Sequence, residues 1–334
     1  MNCSKQEAKM FFDNIIGEYV TGSRAYGINI ETADYVSDED KKAIAILPIR
    51  EYLRLEQPME TLTMHPEDFD EELLAITQLQ EPTDYEVHSL RKFMTLAKNC
   101  NPTIIEMLFV RPRFITKNSL YAQMLRENRH LFLSKKSIKS FGGYAMQQLL
   151  RIKHALYLQT PEGIEKQKEL HNALNRMILD FNEKYGDYQL KITLEEDGEI
   201  YVSMNGKMSL DTYLGMMSEI SNCRATYNKM NHRNRKIGEK INKHNAHLIR
   251  LLESGIELNK TGTLNVYRPN RKKLLAIRNG EVEQEEIFAY AEKLNRELMS
   301  LTQESVLPDA VDSNKINELY RQLTLIYNRE KGFL

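Results

Sequence analysis

The sequence has few cysteines and no apolar run of membrane-spanning length. Only three cysteines, Cys3, Cys100 and Cys223, occur, and no two form a C-x-x-C pair. This scatter argues against a disulfide framework and against a structural zinc site. No apolar run approaches the roughly 20 residues that cross a bilayer, and the first residues lack the apolar core of a signal peptide. We therefore expect a protein of the reducing cytoplasm without a membrane partner.

An excess of charge of one sign is also missing. Lys and Arg number 46 against 47 Asp and Glu, for a net charge of −1. The chain therefore has no overall positive charge that would indicate a nucleic-acid partner, and any RNA-binding surface must be a local basic patch. We see no internal repeat and no low-complexity tract. The 334 residues, 41% of them hydrophobic, are enough for two domains with real cores.

The pattern of apolar residues changes along the chain. Residues 1–115 alternate amphipathic segments with three strand candidates, GEYVTG, KKAIAIL and DYEVHSL. The remainder is mainly helical, apart from an alternating stretch around Asp197-Gly198 that is typical of a β-hairpin. The sequence predicts an α+β fold, with a mixed-sheet domain at 1–115 and a mainly helical domain with a hairpin at 116–334.

The most informative segment follows the first strand candidate. Gly22 and Ser23 let backbone N–H groups approach an anion, and the Ser23 hydroxyl can donate to a phosphate oxygen. Downstream, Asp38 and Asp40 are two residues apart, which on a strand places both carboxylates on one face. Two such carboxylates suit a pair of Mg²⁺ ions. Either pattern alone is typical of a surface turn, but together they predict a nucleotide site.

These residues resemble the signature of the DNA polymerase β superfamily of nucleotidyltransferases, in which a Gly-Ser pair precedes a D-x-D motif. GSRAYG, from Gly22 to Gly27, is similar in particular to the RNA-ligase-associated (RlaP-like) branch, many of whose members are phage-encoded. Segments similar to that branch also span Leu90 to Phe109, Ser140 to Ala145 and Ala246 to Glu281. The resemblance covers nearly the whole chain and implies a Pol β-like catalytic domain followed by a helical domain that closes the cleft.

The loop before the D-x-D motif departs from the family pattern. At the usual shorter distance from Gly-Ser the chain has Asp34 and Val36, which cannot form a carboxylate pair. We interpret residues 28–36 as a lengthened loop, which assigns the motif to Asp38 and Asp40. Ala43 then stands where the family has glycine. Asp34 remains the alternative to Asp38 as a metal ligand.

A third carboxylate is implied by the resemblance. Asp84, Glu86 and His88 share one face of a strand candidate because of its two-residue period. The family pattern favours Asp84, with Glu86 as the alternative, and an exposed strand face without a catalytic role is the plainer interpretation of both. We interpret His88 as a surface or hydrogen-bonded histidine rather than a ligand.

Basic residues recur at helical spacing in the C-terminal part. Lys243, His247 and Arg250 form a stripe that is ordinarily a solvated helix face. The family match instead implies that the stripe faces the cleft and meets triphosphate or RNA phosphates, and the basic run from Arg268 to Lys273 extends it. Glu106 is interpreted as a helix-surface carboxylate.

Together these patterns predict a nucleotidyltransferase that uses two Mg²⁺ ions to move an NMP from an NTP to a hydroxyl acceptor. The association with RNA ligases points to an RNA end as acceptor. Transfer to a small molecule or a protein is the second enzyme hypothesis, and a degenerate RNA-binding module is the non-enzyme one. The sequence does not indicate which nucleotide is used or the oligomeric state. The predicted catalytic residues are Asp38, Asp40, Asp84 and Glu86, the metal ligands are Asp38, Asp40 and Asp84, and the nucleotide-binding residues are Gly22, Ser23, Arg24, Lys243, His247 and Arg250.

Overall fold

A computed structural model describes residues 4–31, 37, 39–56, 58–77, 79, 81–188, 191–194, 200–203, 208–230 and 240–334. The chain forms two compact units, one of Met1–Gln147 with Asn245–Leu334 and one of Gln148–His244. The division expected at residue 115 falls inside the first unit, which joins residues 1–147 to the C-terminal residues 245–334. The Tyr327 hydroxyl, for example, donates to the Asn14 side chain at 3.0 Å.

The first unit is built on a five-stranded mixed sheet in the order β3-β4-β2-β1-β5. Strands β2 and β4 are parallel and in register, and the other neighbouring pairs are antiparallel. The edge strands β3 and β5 were not predicted from the sequence, because each is only four residues long. The strands are β1 (Ile15–Val20), β2 (Lys41–Ala45), β3 (Thr61–Met64), β4 (Tyr85–Ser89) and β5 (Ile115–Asn118).

Fourteen α-helices are described in the two units. Side-chain caps begin several of them. Ser4 caps the first helix, and Asn101 caps the sixth, which has Pro102 at its first position. The helices are α1 (Lys5–Asp13), α2 (Gly22–Tyr26), α3 (Ile49–Tyr52), α4 (Glu71–Thr77), α5 (Leu90–Lys98), α6 (Pro102–Phe109), α7 (Leu120–Glu127), α8 (Lys136–Tyr157), α9 (Pro161–Tyr185), α10 (Leu210–Met230), α11 (Ile241–Thr261), α12 (Arg271–Arg278), α13 (Gln284–Glu304) and α14 (Ser313–Glu330).

One face of the sheet is covered by α1 and α4. Phe11, Ala43, Leu62, Leu73 and Val87 belong to one buried apolar cluster on this face. Because successive strand residues point to opposite faces, the side chains of residues 42 and 86 lie on the other face. That second face therefore carries Glu86, one of the predicted carboxylates, beside Lys42.

The second compact unit contains α9, α10 and a two-stranded antiparallel hairpin. Its strands are β6 (Lys191–Leu194) and β7 (Ile200–Ser203), which lie on either side of the predicted turn at Asp197-Gly198. The turn itself falls outside the described residues. Leu174, Phe181, Ile192 and Met216 form part of the core of this unit. The predicted helical region with a β-hairpin is confirmed.

Candidate active site

The Gly-Ser pair begins α2, directly after β1. Gly22 has a φ of 65°, which is in the left-handed region that glycine adopts without strain. A Cβ added to Gly22 would lie 2.0 Å from Oδ2 of Asp40. The Thr21 N–H also donates to the Asp40 carbonyl oxygen at 2.8 Å. The structure therefore places the Asp40 carboxylate directly against the main chain of the Gly-Ser pair.

Asp40 and Asp84 immediately precede the parallel strands β2 and β4. The Lys41 N–H donates to the Asp84 carbonyl oxygen at 2.9 Å, and Lys41 lies beside Tyr85 in the register. The main chains at Asp40 and Asp84 are therefore neighbours, just before the first residues of two inner strands. Two of the three predicted metal ligands lie at this end of the sheet.

Asp84 has a histidine partner that was not predicted from the sequence. Oδ1 of Asp84 lies 2.8 Å from Nδ1 of His65, and the two side chains are 45% and 57% exposed. His65 follows β3, whose last residue Met64 pairs with Tyr85. The hydrogen bond with Asp84 raises the pKa of His65 above its ordinary value. The pair thus gives Asp84 an adjacent group that can share a proton.

Glu86, the alternative third carboxylate, is already paired with a cation. The Lys42 ammonium donates to Oε2 of Glu86, and Nε2 of His88 lies 3.6 Å from Oε1. Burial raises the pKa of Glu86, but the Lys42 charge outweighs that effect, so the pKa lies below its ordinary value. His88 is itself buried, and its Nδ1 lies 3.0 Å from the Thr61 hydroxyl. Between the two candidates, Asp84 is therefore the more available for a metal ion.

The remaining predicted metal ligand cannot be placed. Asp38, and its alternative Asp34, lie outside the described residues. Among the residues that the structure describes, no group of three or more His, Cys, Asp or Glu side chains is arranged to hold a metal ion.

Arg24 contacts the residues on both sides of Asp38. Its guanidinium lies 3.9 Å from Glu39 and 3.6 Å from Glu31, and it donates to the Ser37 carbonyl oxygen at 3.5 Å. Ser37 is buried and also accepts from Arg278 of α12, at 3.1 Å. Two arginines therefore hold the described end of the long loop beside the Gly-Ser helix.

Arg250 corrects two expectations from the sequence. It is 2% exposed rather than part of a cleft-facing or solvated stripe, and it donates to the carboxylate of Glu106. Glu106 is 5% exposed and is therefore not a surface carboxylate. The stripe fails because α11 is buried on nearly all sides from Asn245 to Asn259.

The Arg250–Glu106 pair supports the Gly-Ser helix from behind. The guanidinium carbon of Arg250 lies 3.7 Å from the ring centroid of Tyr26, at the end of α2. The Tyr26 hydroxyl donates to the other Glu106 oxygen at 2.8 Å. Burial raises the pKa of this phenol far above its ordinary value. The only sequence signal for this network is a carboxylate within the apolar helix PTIIEMLF.

The other two residues of the predicted stripe are placed differently. His247 is half-buried, and its Nδ1 lies 3.1 Å from the Arg250 guanidinium. Lys243 is exposed and belongs to the second compact unit. A phosphate-binding role for Lys243 and His247 stays a prediction.

A family comparison shows which proteins the chain is related to. The model of the RNA repair pathway DNA polymerase beta family, RlaP, matches residues 4–176. The chain belongs to this family. The match covers α1 through most of α9, and includes the Gly-Ser pair, Asp40 and Asp84. It confirms the resemblance drawn from residues 22–27 and agrees with a Pol β-like mixed-sheet domain.

Membership in RlaP suggests a nucleotidyltransferase of RNA repair, a type of enzyme that usually uses divalent metal ions. No curated protein and no solved structure matches the chain. Among the described helices, none is long and apolar enough to cross a membrane. The phage origin and the cytoplasmic location stay predictions.

Proposed function

We propose that this member of the RlaP family is a Mg²⁺-dependent nucleotidyltransferase that moves an NMP from an NTP to a hydroxyl group of an RNA end. The observation that carries this proposal is the contact of the Asp40 carboxylate with the main chain of Gly22. It joins a candidate metal ligand to a candidate phosphate-binding turn. The RNA acceptor is supported by the family, whose description is an RNA repair pathway.

The donor set is compatible with magnesium. Asp40 and Asp84 supply carboxylate oxygens, which are hard ligands that suit Mg²⁺. Asp84 pairs with the imidazole of His65, whereas Glu86 pairs with the ammonium of Lys42. In the proposal Asp38, Asp40 and Asp84 hold two ions, which would stabilise the charge that develops on the attacking and leaving oxygens.

The residues of the chain bind the nucleotide and move the proton. The Gly22 main chain and the Ser23 hydroxyl receive the β- and γ-phosphates of the NTP, and Asp84 accepts the proton of the acceptor hydroxyl. The acceptor oxygen then forms a bond to the α-phosphorus, while the bond from that phosphorus to pyrophosphate breaks. His65 orients the Asp84 carboxylate through its hydrogen bond and shares the proton.

Label transfer tests this proposal. The full chain is incubated with each α-³²P-NTP, Mg²⁺ and a short RNA that ends in a free hydroxyl. Asp40→Asn and Asp84→Asn should reduce the rate by on the order of 10²–10⁴, because several kcal/mol of stabilisation are lost and each ~1.4 kcal/mol is a factor of ten. Asp180→Asn, at an exposed position of α9, removes the same charge and should leave the rate unchanged.

Three outcomes would contradict the proposal in different ways. Label on a protein or small molecule but never on RNA would overturn the acceptor while keeping the reaction class. Full activity of Asp40→Asn would overturn the site. If the wild-type chain yields no labelled product with any NTP, divalent metal or acceptor, the enzyme hypothesis fails.

A further inference from the structure

Three arginines surround one tyrosine on the first compact unit. The guanidinium carbons of Arg113, Arg111 and Arg271 lie 4.3, 4.5 and 5.1 Å from the ring centroid of Tyr267. We call these four residues the Tyr267 cluster. Its members come from two distant parts of the sequence, a segment before β5 and the start of α12. The cluster is therefore a product of the fold and not of a local charge run.

The arginines of the cluster are exposed and lack acidic partners. All three are exposed, and none forms an ion pair with a carboxylate among the residues that the structure describes. The buried Arg250 and Arg268, by contrast, each pair with a glutamate. Three like charges around one ring repel one another, so an anionic ligand that joins them would be favoured.

Aromatic contacts hold the guanidinium groups in place. The Phe114 ring stacks on Tyr267 with centroids 6.2 Å apart, and Arg113 also lies 4.7 Å from the Phe114 centroid. A hydrogen bond from Arg113, then the charges of Arg271 and Arg111, lowers the pKa of the Tyr267 phenol. Stacking of this kind fixes guanidinium planes in advance, which reduces the entropy lost when they bind phosphate.

The Tyr267 cluster lies at the far end of the Gly-Ser helix. The Tyr267 ring packs on Gly27, where an added Cβ would lie 2.4 Å from the ring. The next residue, Arg268, donates its N–H to the Tyr26 carbonyl oxygen at 3.1 Å. Helix α2 has five residues, which at about 1.5 Å per residue is a short distance from Ser23. A polymer held at the cluster can therefore present its end to the candidate active site.

We propose that Arg111, Arg113 and Arg271 bind successive phosphates of the single-stranded RNA acceptor, with Tyr267 as their common support. The inference rests on the proposed function, for which it supplies the acceptor-binding surface. RNA fits this cluster because it carries a phosphate at every residue, so one strand can meet all three guanidinium groups. Arginine forks pair with phosphate oxygens through two parallel hydrogen bonds.

RNA binding without NTP tests the inference. The dissociation constant of the full chain for a fluorescein-labelled 12-nucleotide RNA is measured by anisotropy between 50 and 200 mM KCl. We expect the triple alanine variant to bind RNA on the order of tenfold more weakly at low salt. The slope of log K against log salt should become less steep by about 2, because each phosphate contact with a single strand contributes about 0.7 to that slope. The variant is Arg111→Ala, Arg113→Ala and Arg271→Ala.

Two further variants separate the cluster from bulk charge. The triple lysine variant at the same positions keeps the charges and should keep most of the salt slope. A control that removes three exposed cations elsewhere on the same unit should bind RNA within about twofold of the wild type, since it alters net charge equally but no ligand contact. The control is Lys9→Ala, Lys293→Ala and Arg329→Ala.

The inference is overturned if the wild type binds no RNA, if the alanine variant retains the wild-type slope, or if the control loses as much affinity. It is also overturned if a poly-glutamate peptide of equal charge displaces the RNA as well as unlabelled RNA does. If the alanine variant binds RNA as the wild type does and label transfer is normal, only the inference is rejected. If RNA binding depends on the cluster but no label is transferred, only the proposed function is rejected.

Discussion

The buried pair of Arg250 and Glu106 allows the sharpest prediction about stability. Arg250→Met removes the guanidinium and keeps a side chain of similar length in a site where only 2% of the arginine is exposed. Of the hydrogen bonds described for Glu106, itself 5% exposed, the one from the hydroxyl of Tyr26 would remain. The substitution leaves a carboxylate buried with no cation to balance it.

The expected loss is about 3–5 kcal/mol, the range for removing one partner of a buried ion pair. The Tyr26 hydrogen bond to Glu106 remains, which favours the lower end. The cation–π contact of Arg250 with Tyr26, worth about 2 kcal/mol when desolvated, is lost and acts in the opposite direction. Arg250→Met combined with Glu106→Leu should lose less than the sum of the single changes, because no unpaired charge stays buried.

Urea unfolding followed by far-UV circular dichroism measures the free energy, and tyrosine fluorescence provides a second probe because the chain has 17 tyrosines and no tryptophan. Since the chain has two compact units, the two probes must coincide before one free energy is assigned. The matched control is Arg321→Met, which breaks the exposed pair with Glu318 at 2.8 Å and should lose under about 1 kcal/mol. If Arg250→Met is no more destabilising than this control, the account of the buried network is wrong.

Three other changes have definite expected outcomes. Gly22→Ala should lower the free energy of unfolding by about 1–2 kcal/mol because alanine is strained at this left-handed φ, and its Cβ should also displace the Asp40 carboxylate. Thermal unfolding and label transfer should therefore both show a defect. Normal label transfer would refute the contact between Gly22 and Asp40. Burial lowers the pKa of His244 from 6.5, so the stability that its neutral form contributes is full above pH 6.5 and is lost as pH falls through the folded pKa. His244→Gln should therefore flatten the decline in melting temperature between about pH 7.5 and 5.5. An unchanged decline would refute this assignment. Arg278→Ala should reduce the rate of label transfer on the order of tenfold, because it removes the hydrogen bond to Ser37. Arg278→Lys should retain more activity. Equal rates for both variants and the wild type would exclude a positioning role for Arg278.

Local signals predicted much of the first unit. The apolar segments that become β1, β2 and β4 are each only a few residues long, and their local pattern is sufficient to locate them. The four-residue edge strands β3 and β5 carry too few residues for an alternating pattern. Helix α12 was not predicted, because its first turn, Arg271 to Lys273, is entirely charged.

Long-range pairing explains what the sequence could not indicate at the site. Glu106 and Arg250 are 144 residues apart, so the local sequence around either residue does not indicate that the other will pair with it. The partner of Asp84, His65, is brought beside it by the antiparallel register of β3 and β4. The proximity of Gly22 to Asp40 was anticipated as a family pattern, but the contact itself depends on the pairing of β1 with β2.

The most direct test of the central claim is a crystal structure of the full chain with Mn²⁺ and a non-hydrolysable NTP, in which anomalous scattering locates the metal. The account predicts an anomalous peak bound by the carboxylates of Asp40 and Asp84, with the β- and γ-phosphates against Gly22 and Ser23. A nucleotide bound elsewhere, or a metal bound by Glu86 with Asp84 still paired to His65 alone, would contradict the account.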